Sequence, residues 1–263
     1  MMRFARYTGA AMALAGALFV APSVASAQDF SWNGSLSAGQ SVEIKGVNGE
    51  IVAVPASGGQ VRVTAVKTEG RRGDAEDVRI EAVRHDGGVT ICAVYPDGRE
   101  RNECRPGSGG RLGARDNDVK VAFRVEVPSN VDFIGKTVNG AIRATGLSGR
   151  VAAETVNGKV EVQTRGIARA NTVNGSIEVA MDRADWAGEL EFETVNGSIE
   201  VAIGADNPSM DVEASTVNGS ISTDWPLTVQ GRWGPKRMNG TIGSGGRTLS
   251  LSTVNGSIAI VRR

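Results

Sequence analysis

The sequence predicts an all-β fold and, within that class, a β-solenoid (β-helix-like) in which two-strand repeats wind into stacked coils. Three observations support this prediction. The tetrapeptide Thr-Val-Asn-Gly recurs through the second half of the 263-residue chain. Apolar side chains alternate with polar ones on both sides of each copy, as they do in strands that bury one face. Beyond residue 27, no stretch shows the apolar period of a helix of usable length.

The repeated tetrapeptide sets the length of the structural unit. Six copies are intact, and residues 237–240 (Arg-Met-Asn-Gly) form a degenerate seventh. Their asparagines are 18, 17, 22, 22, 21 and 16 residues apart, enough for two strands of roughly six residues and their turns. The predicted repeat corners are Asn139-Gly140, Asn157-Gly158, Asn174-Gly175, Asn196-Gly197, Asn218-Gly219, Asn239-Gly240 and Asn255-Gly256.

Fixed columns of apolar residues flank these corners and predict the core. Six residues before each asparagine stand Phe133, Val151, Ala168, Leu190, Val212, Trp233 and Leu249. Three residues after it stand Ile142, Val160, Ile177, Ile199, Ile221, Ile242 and Ile258. The next position is polar in several copies and holds Glu161, Glu178 and Glu200, so it is predicted to lie on the outer face.

Asn-Gly tolerates positive φ at both residues and favours a type I′ turn, so each pair is expected to reverse or bend the chain. Two architectures satisfy this pattern. In a β-solenoid the coils stack about 4.8 Å apart, and the asparagines can form a ladder. In an antiparallel hairpin meander or sandwich the same pairs are ordinary turns. The low aromatic content of 5% favours the solenoid, because a thin stacked core has little room for large rings.

Residues 28–128 show the same alternation less regularly and are expected to be a β-rich region that caps a repeat solenoid of residues 129–263. A repeat-like Val-Asn-Gly corner stands at 47–49. Strand-like runs are found at 61–66, 78–83, 89–94 and 119–127. The Gly/Arg-rich segment 105–118 is expected to be a loop.

The first 27 residues have the three parts of a secretory signal peptide. Arg3 and Arg6 precede an apolar run over 10–21, which is shorter than the roughly 20 residues that span a bilayer. The small residues at 25–27 then precede a predicted mature start at Gln28. We therefore expect an exported protein of the periplasm or cell surface, with no transmembrane anchor in the mature chain.

The charge balance of the mature chain argues against nucleic acid as a partner. Removing Arg3 and Arg6 from the 29 basic residues leaves 27 against 29 acidic residues, a net charge of −2. A near-neutral protein has no electrostatic attraction to a polyanion.

Cys92 and Cys104 are the only cysteines, and in an exported protein they are expected to form a disulfide. The competing interpretation is a metal pair. Two cysteines and the single histidine, His85, do not supply the four ligands of such a site, so no metal site is predicted from them.

The corners that continue as Thr-Val-Asn-Gly-Ser-Ile, the Pro-Ser-Asn segment at 128–130 before the first full copy, and the export signal resemble the DUF4097 type of bacterial "putative adhesin" proteins. The resemblance covers about residues 40–263. It implies an exported, solenoid-like domain of successive β-strand repeats, and it supplies no catalytic residues.

The sequence contains no recognisable catalytic motif. His85 stands between two strand-like runs, and no Gly-x-Ser-x-Gly elbow accompanies it. The glycines punctuate turns and do not form a phosphate-binding loop before a helix. The chain is therefore predicted to be non-enzymatic and to need no cofactor.

Four residues are candidates for a ligand surface. Glu161, Glu178 and Glu200 would be neighbours in stacked coils, where like charges repel. They form either a calcium site or acidic binding strip, or a solvated outer face relieved by nearby arginines. Trp186 lies in the insertion 181–188. It is either an exposed platform for a sugar ring or partner protein, or a cover for the sheet edge beneath it.

Together these features predict an envelope protein that presents a β-repeat surface for adhesion or assembly, with an envelope protein or a polysaccharide as partner. One alternative is a periplasmic scaffold or stress-response module that binds another envelope protein. Another is a polysaccharide-active enzyme, which requires acidic and basic groups clustered in an outer groove.

Overall fold

The computed structural model describes residues 30–96, 102–204, 206, 208–231 and 234–263. The predicted signal peptide, the predicted core residue Trp233 and the centre of the disulfide-closed loop (97–101) lie outside the described residues. The described ranges contain strands and turns and no helix.

The strands of the first half are β1 (Phe30–Gly34), β2 (Ser41–Lys45), β3 (Ile51–Pro55), β4 (Val61–Thr68), β5 (Arg79–His85), β6 (Gly88–Val94), β7 (Lys120–Val127), β8 (Asp132–Lys136), β9 (Ile142–Leu147) and β10 (Val151–Glu154). Those of the second half are β11 (Val160–Thr164), β12 (Ala168–Asn171), β13 (Ile177–Met181), β14 (Glu189–Asn196), β15 (Ile199–Ile203), β16 (Met210–Asn218), β17 (Ile221–Thr223), β18 (Val229–Gln230), β19 (Lys236–Ile242), β20 (Thr248–Asn255) and β21 (Ile258–Arg262).

The strands form two mixed sheets whose inner faces share one hydrophobic cluster. Sheet A has the order β1-β4-β7-β3-β9-β11-β13-β15-β21-β17, and sheet B has the order β18-β19-β16-β20-β14-β12-β10-β8-β2-β6-β5. One strand of sheet B and the next strand of sheet A make a coil. The coils stack in the order β6/β7, β2/β3, β8/β9, β10/β11, β12/β13, β14/β15, β20/β21 and β16/β17.

Neighbouring coils pair in parallel and in register, which confirms the predicted solenoid. In sheet A, Val160 lies opposite Ile177, Ile177 opposite Ile199, and Ile199 opposite Ile258. Equivalent repeat positions therefore stack on one another. A meander of hairpins would pair these strands antiparallel, so that alternative is wrong for the repeats.

The order of coils in the stack departs from the order along the chain at both ends. The last coil, β20/β21, inserts between β14/β15 and β16/β17. At the other end, β6/β7 lies outside the earlier coil β2/β3. Residues 28–128 thus contribute two coils of their own as well as end strands. Antiparallel strands flank the outermost coils: β1, β4 and β5 at one end, and β18 and β19 beside β16 at the other. At that second end β17 is the edge strand of sheet A.

The degenerate seventh copy is not a corner, which corrects the sequence prediction for Asn239-Gly240. Both residues lie inside β19, where Asn239 is opposite Glu213 and Gly240 is opposite Val212 in an antiparallel ladder. A segment that runs straight along a neighbouring strand cannot bend at the same point. This copy has lost the Thr-Val that precedes the asparagine elsewhere.

The predicted type I′ turn is also wrong for the six remaining corners. A type I′ turn needs positive φ at both residues, yet among the described residues Asp116 is the only non-glycine with a positive φ. The chain instead bends from one sheet to the other. Glycine is required by the neighbouring coil: a Cβ on Gly175 would lie 1.9 Å from the carbonyl oxygen of Gly158.

We predict that Gly175→Ala destabilises the protein by about 1–3 kcal/mol or more, because the stack cannot accommodate the added methyl without separating two coils. Gly58→Ala is the matched control, since a Cβ there meets nothing within 4 Å. Chemical denaturation measures both free energies of unfolding. Equal stability of the two variants would contradict the close approach at the corner.

Candidate functional site

The corners of successive coils form one continuous edge of the molecule, and its first feature is an asparagine ladder. In stack order the ladder comprises Asn48, Asn139, Asn157, Asn174, Asn196, Asn255 and Asn218. Each Nδ2 donates to Oδ1 of the preceding member at 2.8 or 2.9 Å. At its start, the Asn48 amide donates to the Asn117 carbonyl at 3.3 Å. The side-chain amides therefore repeat the backbone's own hydrogen-bonding pattern along the stack.

Beneath the ladder runs a threonine row consisting of Thr137, Thr155, Thr172, Thr194, Thr253 and Thr216, all at most 6% exposed. Each Oγ1 donates to the corner glycine carbonyl of the preceding coil, for example Thr155 to Gly140 at 2.9 Å and Thr216 to Gly256 at 2.8 Å. A buried hydroxyl without a partner costs about 1–3 kcal/mol, so these bonds make the threonine compatible with its burial.

Between the asparagine ladder and the threonine row lies a valine row, which consists of Val138, Val156, Val173, Val195, Val254 and Val217 in stack order. Four members of the row are exposed, namely Val156, Val173, Val254 and Val217, at 38–42%. Within the described ranges they are the large apolar side chains that are exposed. The row is an apolar line on an otherwise polar edge.

A groove runs beside the valine row along the stack, with a volume of about 390 Å³. Its floor is formed by Thr137, Thr155 and Thr172 of the threonine row, and one wall is formed by Val156, Val173 and Val195. The opposite wall is polar and is made of Lys136, Glu154, Asn171 and Glu193. Lys136 and Glu154 form an ion pair at 3.4 Å, so the groove combines one apolar wall with one hydrogen-bonding wall of small net charge.

The predicted glutamate stack is confirmed in register but not as a cation site. Glu161 lies opposite Glu178, and Glu178 opposite Glu200. Arg143 contacts Glu161 at 3.1 Å and Lys159 contacts Glu178 at 2.7 Å, which offsets the repulsion between like charges. In the described part of the chain, no group of three His, Cys, Asp or Glu side chains is placed to hold a metal ion.

Trp186 is not an exposed platform; the structure shows the packing alternative. The residue is 4% exposed, and its indole Nε1 donates to the Thr248 carbonyl at 3.0 Å. Arg247 donates to the carbonyls of Trp186 and Ala184 at 3.1 and 2.7 Å. The insertion therefore packs over the start of β20, and Trp186 is not available to a ligand.

The predicted disulfide between Cys92 and Cys104 is present. It fastens the segment 104–111 over the outer face of β2, where two charged side chains are buried. Glu43 is 2% exposed, and its Oε2 accepts from the Gly107 amide and the Thr90 hydroxyl at 2.9 and 2.8 Å.

The second charged side chain under this segment is Lys45, which is 7% exposed. Its ammonium donates to the carbonyls of Arg105 and Gly109 at 2.5 and 2.9 Å. Burial lowers the pKa of Lys45, and the nearby Glu43 carboxylate opposes that shift. The disulfide thus holds a loop whose backbone carbonyls accept hydrogen bonds from the buried Lys45 ammonium.

We predict that reducing the disulfide, or replacing both cysteines by alanine, loosens this segment first. The link closes a loop with a sequence separation of 12, and losing it should cost about 3 kcal/mol. Amide hydrogen exchange in 102–113 should accelerate more than exchange in the repeat strands. Treating the cysteine-free variant with the same reductant is the control, and unchanged exchange on reducing the native protein would contradict the assignment.

The parallel two-strand coils and the ladders at their corners define the chain as a β-solenoid repeat protein. The family described as Toastrack DUF4097 matches residues 32–261. The chain belongs to this family, and the predicted resemblance is confirmed. No curated protein matches the chain. Within the described ranges, no helix is long and apolar enough to span a bilayer.

Two solved structures are similar to this chain at low identity. One is described as a "putative cell adhesion protein" from Clostridium sporogenes, with 10% identity and a TM-score of 0.40, covering 89% of this chain and 99% of that one. The other is a "putative adhesin" from Parabacteroides distasonis, with 13% identity and a TM-score of 0.23, covering 89% of this chain and 96% of that one.

Sequence reasoning identified the corners but missed the valine row and the groove. The signal was present: Val follows Thr in all six intact copies, and the residue before Asn-Gly was not assigned to either face. The sequence indicates a repeat-like corner at Asn48, but it does not indicate that Asn48 is the first member of the ladder.

Proposed function

We propose that the chain is an exported, non-enzymatic envelope protein whose repeat surface serves adhesion or assembly. The observation that carries this proposal is the row of like side chains along one edge, repeated over six successive coils of the solenoid. A ligand or partner with its own repeat can engage many equivalent positions, so weak contacts add up to useful avidity.

The structure supports a rigid display of this edge. The asparagine ladder, the threonine row and the parallel backbone pairing all hydrogen-bond along the stack. Each bond contributes a net of about 0.5–1.5 kcal/mol, and their repetition keeps the valines at constant spacing. Rigid presentation reduces the entropy that must be lost on binding.

A periplasmic scaffold that binds another envelope protein is the second candidate. The end strands favour it in one respect: the antiparallel strands β1 and β5 are sheet edges, and such edges accept an added strand from a partner. The two candidates differ in where the working surface is exposed.

The proposal predicts that the mature protein is accessible to a labelling reagent on intact cells. A membrane-impermeant biotin reagent should label its lysines on whole cells as strongly as on lysed cells, while a known periplasmic protein is labelled only after lysis.

Cells lacking the protein should bind less to the surface or matrix that they normally colonise. Labelling only after lysis would contradict surface adhesion and favour the scaffold.

A further inference from the structure

The valine is the residue of the corner that neither a side-chain hydrogen bond nor a lack of room for a Cβ explains, although Val138 packs against the core. Threonine is held by its bond to a glycine carbonyl, asparagine by the ladder, and glycine by the lack of room for a Cβ. Valine is the same in all six intact copies although it is up to 42% exposed. The position two after the asparagine is Ala141 and Lys159 in two copies and serine in the other four. A row of partly exposed apolar side chains on an otherwise polar edge is typical of a ligand or partner surface.

We infer that the valine row and its groove bind a straight, neutral polysaccharide, a chain of β-1,4-linked hexopyranose rings, with about one ring per coil. This inference rests on the proposed function and names the ligand class for it. The valine methyls would contact the apolar C–H faces of the rings. The polar wall of Lys136, Glu154, Asn171 and Glu193 would hydrogen-bond to the hydroxyl groups on the ring edge.

Repeat length favours this ligand over a peptide. The six valines occupy six successive coils and span about 24 Å at the usual strand spacing. A β-1,4-linked chain advances by about one coil spacing per ring, so rings and valines stay in register. Side chains on one face of an extended peptide recur every ~6.8 Å and fall out of step with coils ~4.8 Å apart.

Backbone hydrogen bonding also argues against an added strand at this edge. The amides of Asn157, Asn174 and Asn196 donate to the carbonyls of Val138, Val156 and Val173 at 2.7–2.8 Å. The corner backbone is therefore already paired along the stack, and a ligand must be recognised by side chains.

Size and charge exclude two other occupants. A line one side chain wide, with each valine less than half exposed, offers far less than the roughly 800 Å² per partner of a standard interface, so a second copy of the chain would not be held. The polar wall carries two glutamates and one lysine, a balance that disfavours a polyanion and suits a neutral, hydroxyl-rich chain.

The test uses isothermal titration of the mature, disulfide-bonded protein with cello- and chito-oligosaccharides of two to six rings. The binding constant should rise with each added ring for at least one series and reach its highest value at six. Maltohexaose, whose α-1,4 linkage curves the chain, should bind on the order of tenfold more weakly or not at all. The cello and chito arms distinguish plain from N-acetylated rings.

The double variant Val156→Ser/Val173→Ser should lose on the order of tenfold in affinity for the six-ring ligand. Both side chains are partly exposed, so the melting temperature should change little. Val54→Ser/Val261→Ser is the matched control, because these half-buried valines lie on the outer face of sheet A; it should bind as the native protein does.

Four results of the titrations would overturn the inference: no binding of either six-ring ligand, affinity independent of length, equal binding of maltohexaose, or full binding by the Val156→Ser/Val173→Ser groove variant. A change in sedimentation caused only by the groove variant would mean that a second copy occupies the row, and would also overturn it. If cell-surface labelling succeeds while glycan binding fails, the adhesive role stands and the ligand assignment alone is wrong.

Discussion

The close approach of successive coils at their corners is the constraint on which the rest of the structure depends. Along the stack, a Cβ added to any corner glycine from Gly140 to Gly256 would lie 1.8–2.1 Å from the glycine oxygen of the adjacent coil. Only glycine permits this distance. The same oxygen accepts a bond from the threonine hydroxyl of the next coil, as Gly158 does from Thr172 at 3.2 Å. The glycine carbonyl oxygen of one coil therefore explains both the glycine and the threonine of the next coil.

The asparagine is determined by the same spacing. Two side-chain amides can join directly only when their backbones are about one strand apart, and the ladder distances of 2.8–2.9 Å show that the corners keep that spacing over seven coils. Even the non-sequential coil β20/β21 keeps it, because Asn255 bonds to Asn196 and receives a bond from Asn218. Glycine, threonine and asparagine are all explained by stacking, whereas the valine makes no side-chain hydrogen bond and is 38–42% exposed in four copies.

Much of this fold could be predicted from the sequence, because the signal repeats. The apolar columns predict the core, and Phe133 and Ile177 from these columns are fully buried. The spacing between successive asparagines predicts the two-strand coil. The type I′ turn was the wrong inference, since Asn-Gly has the same local preferences in a hairpin and in a solenoid corner, and only the neighbouring coil decides between them.

The remaining differences arise from contacts distant in sequence. Nothing local to 248–262 indicates that it inserts between two earlier coils, nor that residues 236–242 run antiparallel to β16. Trp186 could not be placed from its insertion alone, because its partner, the Thr248 carbonyl, is 62 residues away. The groove was missed for a related reason: its walls come from several coils and exist only once these are stacked.

Scalar couplings across hydrogen bonds, measured by NMR between each asparagine side-chain nitrogen and the next asparagine side-chain carbonyl carbon, test the stacking most directly. The structure predicts an unbroken series from Asn48 to Asn218 in which Asn255 couples to both Asn196 and Asn218. A direct coupling between Asn196 and Asn218, or no coupling between any of the corner amides, would contradict it.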